Sequence, residues 1–180
     1  MKANKILVAM GVGSMLLCGS AFAAGNSGKV TFNGEIINAP CSVDSNSLDQ
    51  VVKMGQISTK DLANGGEYSD PDSTFKIKLR QCTIAQDQDS VKITFSGTAD
   101  PVEPTLLAIG GGDAAGAGIK MIAPGGNPVT LGQPTSAYKL SNGENELVFN
   151  AILKGYAKQD DHPIKAGTFT AVTNFTLSYE

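Results

Sequence analysis

The last fourteen residues of the chain alternate between apolar and polar side chains, a pattern typical of a β-strand with one buried face. The side predicted to be buried carries Phe169, Ala171, Thr173, Phe175, Leu177 and Tyr179. The other side carries Thr168, Thr170, Asn174, Thr176 and Ser178, with Val172 as the exception. The sequence ends one residue after Tyr179, so we expect nothing later in it to cover the free edge of this strand. An uncovered strand edge is a pairing site for another chain.

A second, sparser alternating series lies near the other end, at Asn26, Gly28, Val30, Phe32 and Gly34. This series also has the period of a strand with one apolar face. One strand that needs a partner and another that can serve as a partner suggest chains that link to each other.

The first 23 residues have the features of an export signal. Lys2 and Lys5 precede an apolar run over residues 6–18, and a small-x-small sequence follows. Such a sequence places the cleavage between Ala23 and Ala24. The apolar run is short for a membrane span, and we expect a soluble secreted product of residues 24–180.

Removal of the signal changes the charge and the cysteine count. Residues 24–180 contain 12 basic and 17 acidic residues, a net charge of −5. Arg80 is the one arginine in the chain. Without a basic cluster, nucleic acid is not an expected partner. Cys41 and Cys82 remain, and in an oxidising compartment an even count predicts a disulfide. A metal site is a poor alternative, because His162 is the single histidine and no Cys-x-x-Cys is present.

The length suits one domain, and short strand-like segments separated by glycine and proline indicate an all-β sandwich. The expected strands are residues 29–37, 50–55, 74–79, 91–96, 106–109, 119–122, 147–157 and 168–179. A single helical turn is expected at 59–63. The glycine-rich stretch 110–118 lacks the features of a phosphate loop, so we expect a flexible loop there.

Several short motifs in order resemble those of a known family. Residues 28–43 read GKVTFNGEIINAPCSV, and Asp49-Gln50, Gly55-Gln56 and Cys82 follow. Gly167 is then fourteenth from the end and Tyr179 is second to last. In order and spacing these motifs resemble the structural pilins of chaperone–usher fimbriae, and most closely the major rod subunits of P and type 1 pili. Residues 99–138 contribute little to the resemblance and are expected to be variable surface.

The resemblance implies an all-β, incomplete immunoglobulin-like β-sandwich that lacks its final strand. Residues 1–23 are then the signal peptide, 24–34 an N-terminal donor-strand extension and 35–180 the pilin domain. The donor residues would be Asn26, Gly28, Val30 and Phe32. The acceptor groove, which also docks the chaperone, would contain Gly167, Phe169, Phe175, Leu177 and Tyr179. Cys41 and Cys82 would join the first two strands of the domain.

The resemblance also implies how the protein functions. A pilin polymerises into a surface fibre by donor-strand complementation and exchange, which supports bacterial adhesion. Its expected partners are copies of itself, a periplasmic chaperone, an outer-membrane usher, minor pilins and a tip adhesin. No cofactor, metal or catalytic residue is expected. Two alternatives remain: a minor adaptor or anchor pilin of the same fold, and a free secreted carbohydrate-binding β-sandwich.

Overall fold

The computed structural model describes residues 28–85 and 87–180. The predicted signal peptide, its cleavage junction at Ala23 and Ala24, and the donor residue Asn26 lie outside these ranges. The chain divides into two units, residues 1–36 and residues 37–180. In the described part of the first unit, no residue belongs to a helix or strand. The strand expected at 29–37 is therefore not formed within this single chain.

The regular secondary structure of the second unit is almost all β-strand, as predicted. Its strands are β1 (Ser42–Val43), β2 (Glu67–Tyr68), β3 (Thr74–Cys82), β4 (Ser90–Gly97), β5 (Leu107–Ala108), β6 (Ala117–Ile122), β7 (Tyr138–Lys139), β8 (Gly143–Gly155) and β9 (Thr173–Tyr179). The helical turn expected at 59–63 is shifted by a few residues, because residues 59–62 form turns and a 3₁₀ turn spans Ala63–Gly65. A short α-helix, α1, which was not predicted, spans Ser45–Leu48. In the described ranges, no helix has the length and apolar character needed to cross a membrane.

The strands form two antiparallel sheets. In the larger sheet the order is β1-β3-β8-β6-β5, and the short β2 also pairs with β8. In the smaller sheet the order is β7-β4-β9. Residues that alternate along β3 and β4 point inward, and Ile77, Leu79, Val91 and Ile93 are fully buried. The two sheets thus form a sandwich, as the strand pattern of the sequence predicts.

Aromatic rings join the two sheets at the centre of the core. Phe149 of β8 stacks on Phe75 of β3, with ring centroids 5.1 Å apart. Phe95 of β4 meets Phe149 edge to face at 5.0 Å, and Phe175 of β9 lies 6.4 Å from Phe95. Edge-to-face and offset aromatic pairs add to the stabilisation that burial alone provides. Phe95 therefore connects the core of the larger sheet to β9.

One side of the sandwich is closed by the chain that connects β6 to β7. Val129 N–H donates to the carbonyl oxygen of Met121 in β6, at 2.9 Å. Further along the same connection, Gly132 N–H and Thr135 N–H donate to the carbonyls of Phe95 and Ile93 in β4. This connection therefore closes the side of the sandwich on which β6 and β7 lie. The opposite side, between β3 of the larger sheet and β9 of the smaller sheet, stays open.

A disulfide joins Cys41 and Cys82, as the cysteine count predicted. Both cysteines are buried, and β1 follows Cys41 directly while Cys82 ends β3. The bond closes a loop of about 40 residues, which by chain-entropy reasoning stabilises the fold by about 4 kcal/mol. It holds the start of the domain against β3.

A buried polar network fixes the end of β8. Tyr156 O–H donates to Asp100 at 2.6 Å, and the other oxygen of Asp100 accepts from the N–H groups of Val102 and Glu103. Glu103 pairs with Lys154 at 2.7 Å and accepts from Ala157 N–H at 2.8 Å. Burial disfavours ionisation of Glu103, but the bonds from Lys154 and Ala157 outweigh it and lower the pKa of this carboxyl.

The lowered pKa of Glu103 predicts a loss of stability in acid. A carboxyl whose pKa is lower in the folded state stabilises the protein at pH values above its ordinary pKa, here 4.5, and loses that contribution as the pH falls through the folded-state value. Urea unfolding at about pH 6 and about pH 3 should show a smaller pH dependence for Glu103→Gln than for the unchanged chain.

Glu144→Gln is the matched control, because the Glu144 carboxylate is exposed and its ion pair with Arg80, at 3.3 Å, lies in solvent. An equal pH dependence for Glu103→Gln and the unchanged chain would contradict the prediction.

Candidate functional site

Strand β9 has the alternation that the sequence predicted. Phe175, Leu177 and Tyr179 are half-buried on its inner face, and Thr176 and Ser178 are exposed on its outer face. These three inner residues lie opposite Phe95, Ile93 and Val91 of β4, respectively. Adjacent strands of one sheet thus present their apolar side chains to the same core.

The two strands differ in how well the core covers them. Val91, Ile93 and Phe95 on β4 are 0%, 0% and 1% exposed. Their partners on β9 remain half-buried, although they face the same side of the sheet. Apolar surface left partly in water costs the stabilisation that its burial would provide. The core is therefore incomplete along β9.

The backbone of β9 is also incompletely paired. This strand is the last in its sheet, and all its ladder bonds run to β4. Along the other edge, Thr173–Tyr179 makes no backbone hydrogen bond to another described residue. A row of free N–H and C=O groups is a template for another strand.

Residues 50–57 form the second border of the open side. Gln50 contacts β3 through its side chain, which accepts a hydrogen bond from Lys76 N–H at 3.2 Å. Beyond it Val52, Met54 and Ile57 pack against the core. These residues are not a strand, although one was expected at 50–55, and among the described residues none offers them a backbone hydrogen bond. The sequence analysis did not assign them to the site, although the alternation of Val52 and Met54 is a signal for it.

Two polar features lie at the far end of β9. Lys92 pairs with Glu180 at 2.7 Å on the outer face, where Lys92 lies opposite Ser178. On the inner face burial raises the pKa of Tyr179. Its hydroxyl is buried and finds no hydrogen-bond partner among the residues that the structure describes. At this end of β9 the charged pair therefore lies on the outer face, and the inner face carries the ring and the buried hydroxyl of Tyr179.

The chain that leads into β9 is held by the glycine-rich stretch. Gly110 and Thr170 exchange backbone hydrogen bonds of 2.8 and 2.6 Å, and Ala115 and Lys165 exchange bonds of 2.9 and 3.2 Å. We call the paired residues 110–116 and 163–170 the glycine ribbon. The stretch 110–118 is therefore a paired element, where composition predicted a flexible loop.

The structure places the predicted groove residues Gly167 and Phe169 in this ribbon. Phe169 is half-buried against the core, in line with the inner face of β9. Gly167 lies against the chain at Asp113 and Ala114, and a Cβ on it would come within 2.5 Å of Ala114 N. A Cβ on Gly112 would likewise overlap the carbonyl oxygen of Thr168. Both glycines are needed for this close approach of two backbones.

The predicted donor residues that are described belong to the other unit. Val30 is 76% exposed and Phe32 is 90% exposed. A Cβ on Gly28 would meet nothing within 4 Å. Large apolar side chains that are this exposed indicate a surface that another protein covers.

The chemistry of the open side is that of strand addition. It offers free backbone groups and half-buried apolar side chains, and the described residues contain no group of three or more histidine, cysteine, aspartate or glutamate side chains placed to hold a metal ion. The fold and this site define a class: all-β subunits with an incomplete sandwich that is open to a strand from another chain.

Comparisons with known proteins agree with this class. Residues 30–180 match the model of the family described as "Fimbrial protein". The chain is 43% identical to the Fimbria A protein of Serratia marcescens and 40% identical to the Major MR/P fimbria protein of Proteus mirabilis (strain HI4320), and each match covers 100% of both chains.

Solved structures give the same result. The crystal structure of the P pilus rod subunit PapA is 31% identical with a TM-score of 0.68, over 79% of this chain and 100% of that one. A chaperone–usher pilus structure is 32% identical with a TM-score of 0.73, over 86% and 96%.

This chain belongs to the fimbrial protein family. It is a structural subunit of a fimbria and is exported to the cell surface. The predicted incomplete immunoglobulin-like sandwich is confirmed.

Alanine substitutions in the glycine ribbon test whether its glycines are needed for the close approach of two backbones or only for chain flexibility. We expect Gly112→Ala and Gly167→Ala each to lower the free energy of unfolding by about 1–3 kcal/mol, because the added methyl group forces two backbones apart. Urea unfolding measures the change.

Gly110→Ala is the matched control, since a Cβ there would meet nothing within 4 Å. Equal effects at Gly110 and Gly167 would contradict a role in close approach.

Proposed function

We propose that this subunit joins its neighbours by donor-strand complementation. Residues 24–34 of one copy enter the open side of the next copy, between β9 and residues 50–57, which we call the acceptor groove. The observation that most supports this is the contrast between β4, whose inner side chains are fully buried, and β9, whose directly opposite side chains are not. An added strand would complete both the core and the hydrogen-bond ladder.

Burial of the donor side chains supplies much of the driving force. Val30 and Phe32 are each worth about 1.5–3 kcal/mol when they pass from water into an apolar groove. New backbone hydrogen bonds to β9 add to this and fix the strand direction. No nucleotide hydrolysis is needed, because completion of the fold is favourable in itself. Gly28 passes a shallow part of the groove, where a side chain would clash.

The open groove accounts for the assembly partners. A subunit that exposes free backbone groups and apolar core aggregates unless another protein covers it. A periplasmic chaperone would therefore lend a strand to the groove, with Phe169, Phe175, Leu177 and Tyr179 as its docking residues. An outer-membrane usher would then exchange that strand for the extension of the incoming subunit. Minor pilins and a tip adhesin would complete the fibre.

The proposed role is structural and not enzymatic. The groove chemistry is noncovalent, and it requires no cofactor. The similarity to the Major MR/P fimbria protein over the full length of both chains favours a rod subunit over a minor adaptor or anchor pilin.

Deletion of residues 24–32 tests the proposal. The full chain and the deleted chain are each produced with the chaperone and usher, and unheated samples are compared on a denaturing gel. We expect heat-labile multimers and surface fibres from the full chain and monomers from the deleted chain. Monomers from both, soluble without any chaperone, would refute strand exchange.

A bulky residue at Gly28 should block donation without disturbing the folded domain. We expect Gly28→Phe to slow multimer formation by at least about tenfold, because the overpacked strand cannot seat in the groove. Densitometry of unheated gel ladders over time measures the rate.

Lys29→Phe is the control, because its side chain would point away from the groove when Gly28 points into it. Equal slowing by the two variants would show that Gly28 does not face the groove.

A further inference from the structure

The edge of β3 that faces the open side is covered only in part by another strand. Val43 and Ser42 of β1 pair with Leu79 and Arg80, and the chain then leaves β3 to form α1. The backbone groups of Lys76 and Lys78 that point to this edge thus have no strand partner. An edge of this kind can pair with a foreign strand.

Two side chains and one backbone N–H satisfy these groups instead. Ser47 Oγ donates to the carbonyl oxygen of Lys76 at 3.1 Å and accepts from Lys78 N–H at 3.0 Å. Gln50 Oε1 accepts from Lys76 N–H at 3.2 Å, and Asp44 N–H donates to Lys78 O at 2.9 Å. We call Ser47 and Gln50 the edge plug.

The plug is held in place as a unit. Gln50 Nε2 donates to the carbonyl oxygen of Ser47 at 3.1 Å, so the two members bond to each other as well as to β3. Ser47 is only 3% exposed. Asp44 caps α1 by accepting from Asn46 N–H at 2.9 Å, and it also pairs with Arg80. The short helix thus keeps the Ser47 hydroxyl directed at the β3 edge.

The plug ends where the acceptor groove begins. Within residues 44–57, Gln50 is the last residue whose side chain bonds to the backbone of β3, and residues 51–57 have no backbone hydrogen bond to a described residue. On the opposite border β9 is free as well. Of the backbone edges of β3, residues 51–57 and β9, the one on β3 is thus satisfied, and the other two have no partner among the described residues.

We propose that Ser47 and Gln50 determine which edge accepts the incoming strand. By satisfying both backbone groups of Lys76 and the N–H of Lys78, they leave β9 and residues 50–57 as the pairing site at the open side, and they direct the chain after residue 50 away from β3. This inference rests on the proposed function, because it concerns the choice of edge during donor-strand addition. Hydrogen bonds already made leave a foreign strand nothing to gain at β3.

A photo-cross-linking experiment tests the choice of edge. A synthetic peptide with the sequence of residues 24–34 carries benzoylphenylalanine in place of Lys29, whose side chain would point away from the groove. It is added in excess to the dilute full chain and irradiated, and mass spectrometry maps the attached residues. The unchanged chain should cross-link at Thr173–Tyr179. In Ser47→Ala/Gln50→Ala, the share of cross-links on Thr74–Arg80 should rise by about tenfold.

Control variants distinguish the loss of the edge plug from a general loss of stability around α1. Ser45→Ala changes an exposed neighbour in α1 that forms no side-chain hydrogen bond with the described residues, and it should cross-link as the unchanged chain does. Ser47→Thr keeps the hydroxyl and should give the same cross-links as the unchanged chain. Gln50→Ala alone, at an exposed position, tests the plug even if the double variant does not fold.

The possible results test the edge plug and the donation of a strand to the acceptor groove separately. Cross-links confined to β9 in every plug variant would overturn the role of the plug and leave strand donation intact. Cross-links to β3 in the plug variants, with none to β9 in the unchanged chain, would support the plug and refute the acceptor groove. An absence of cross-links in all chains would overturn both.

Discussion

The free backbone edge of β9 is the constraint on which the rest of this structure depends. A β-sandwich is stable when its inner side chains are buried and its ladder groups are paired, and β9 meets neither condition fully. Phe175 and Leu177 remain half-buried beside Phe95 and Ile93, which are at most 1% exposed. Tighter side-chain packing cannot supply the missing hydrogen bonds. A strand from outside the domain would supply both.

Other elements confine this incompleteness to one place. The connection from β6 to β7 bonds to both sheets and closes the opposite side. The Cys41–Cys82 disulfide holds the start of the domain at β3, and side chains of Ser47 and Gln50 satisfy the β3 edge. The glycine ribbon fixes the chain that leads into β9. In the part of the chain that the structure describes, the unpaired edge of β9 is thus a linear strip, which suits a polymer linked by strand addition.

Much of this could be predicted from the sequence, and the errors have a common cause. The period-two pattern located β3, β4, β8 and β9, because alternation reports which face is buried. It also predicted strands at 29–37 and 50–55, where the structure has none. A strand exists only when another backbone pairs with it, and an alternating pattern does not reveal its partner. Composition likewise suggested flexibility at 110–118, where the glycines allow close contact with residues 163–170.

By itself, the sequence determined the all-β class, the disulfide, the family and the apolar face of β9, because each depends on residue type and local spacing. Only the tertiary structure decided that residues 50–57 pack against the core without forming a strand, that Gly167 belongs to a ribbon with Asp113 and Ala114, and that Ser47 covers the β3 edge. These features arise from contacts between residues distant in sequence. Their hydrogen bonds depend on where the folded chain brings the two backbones together.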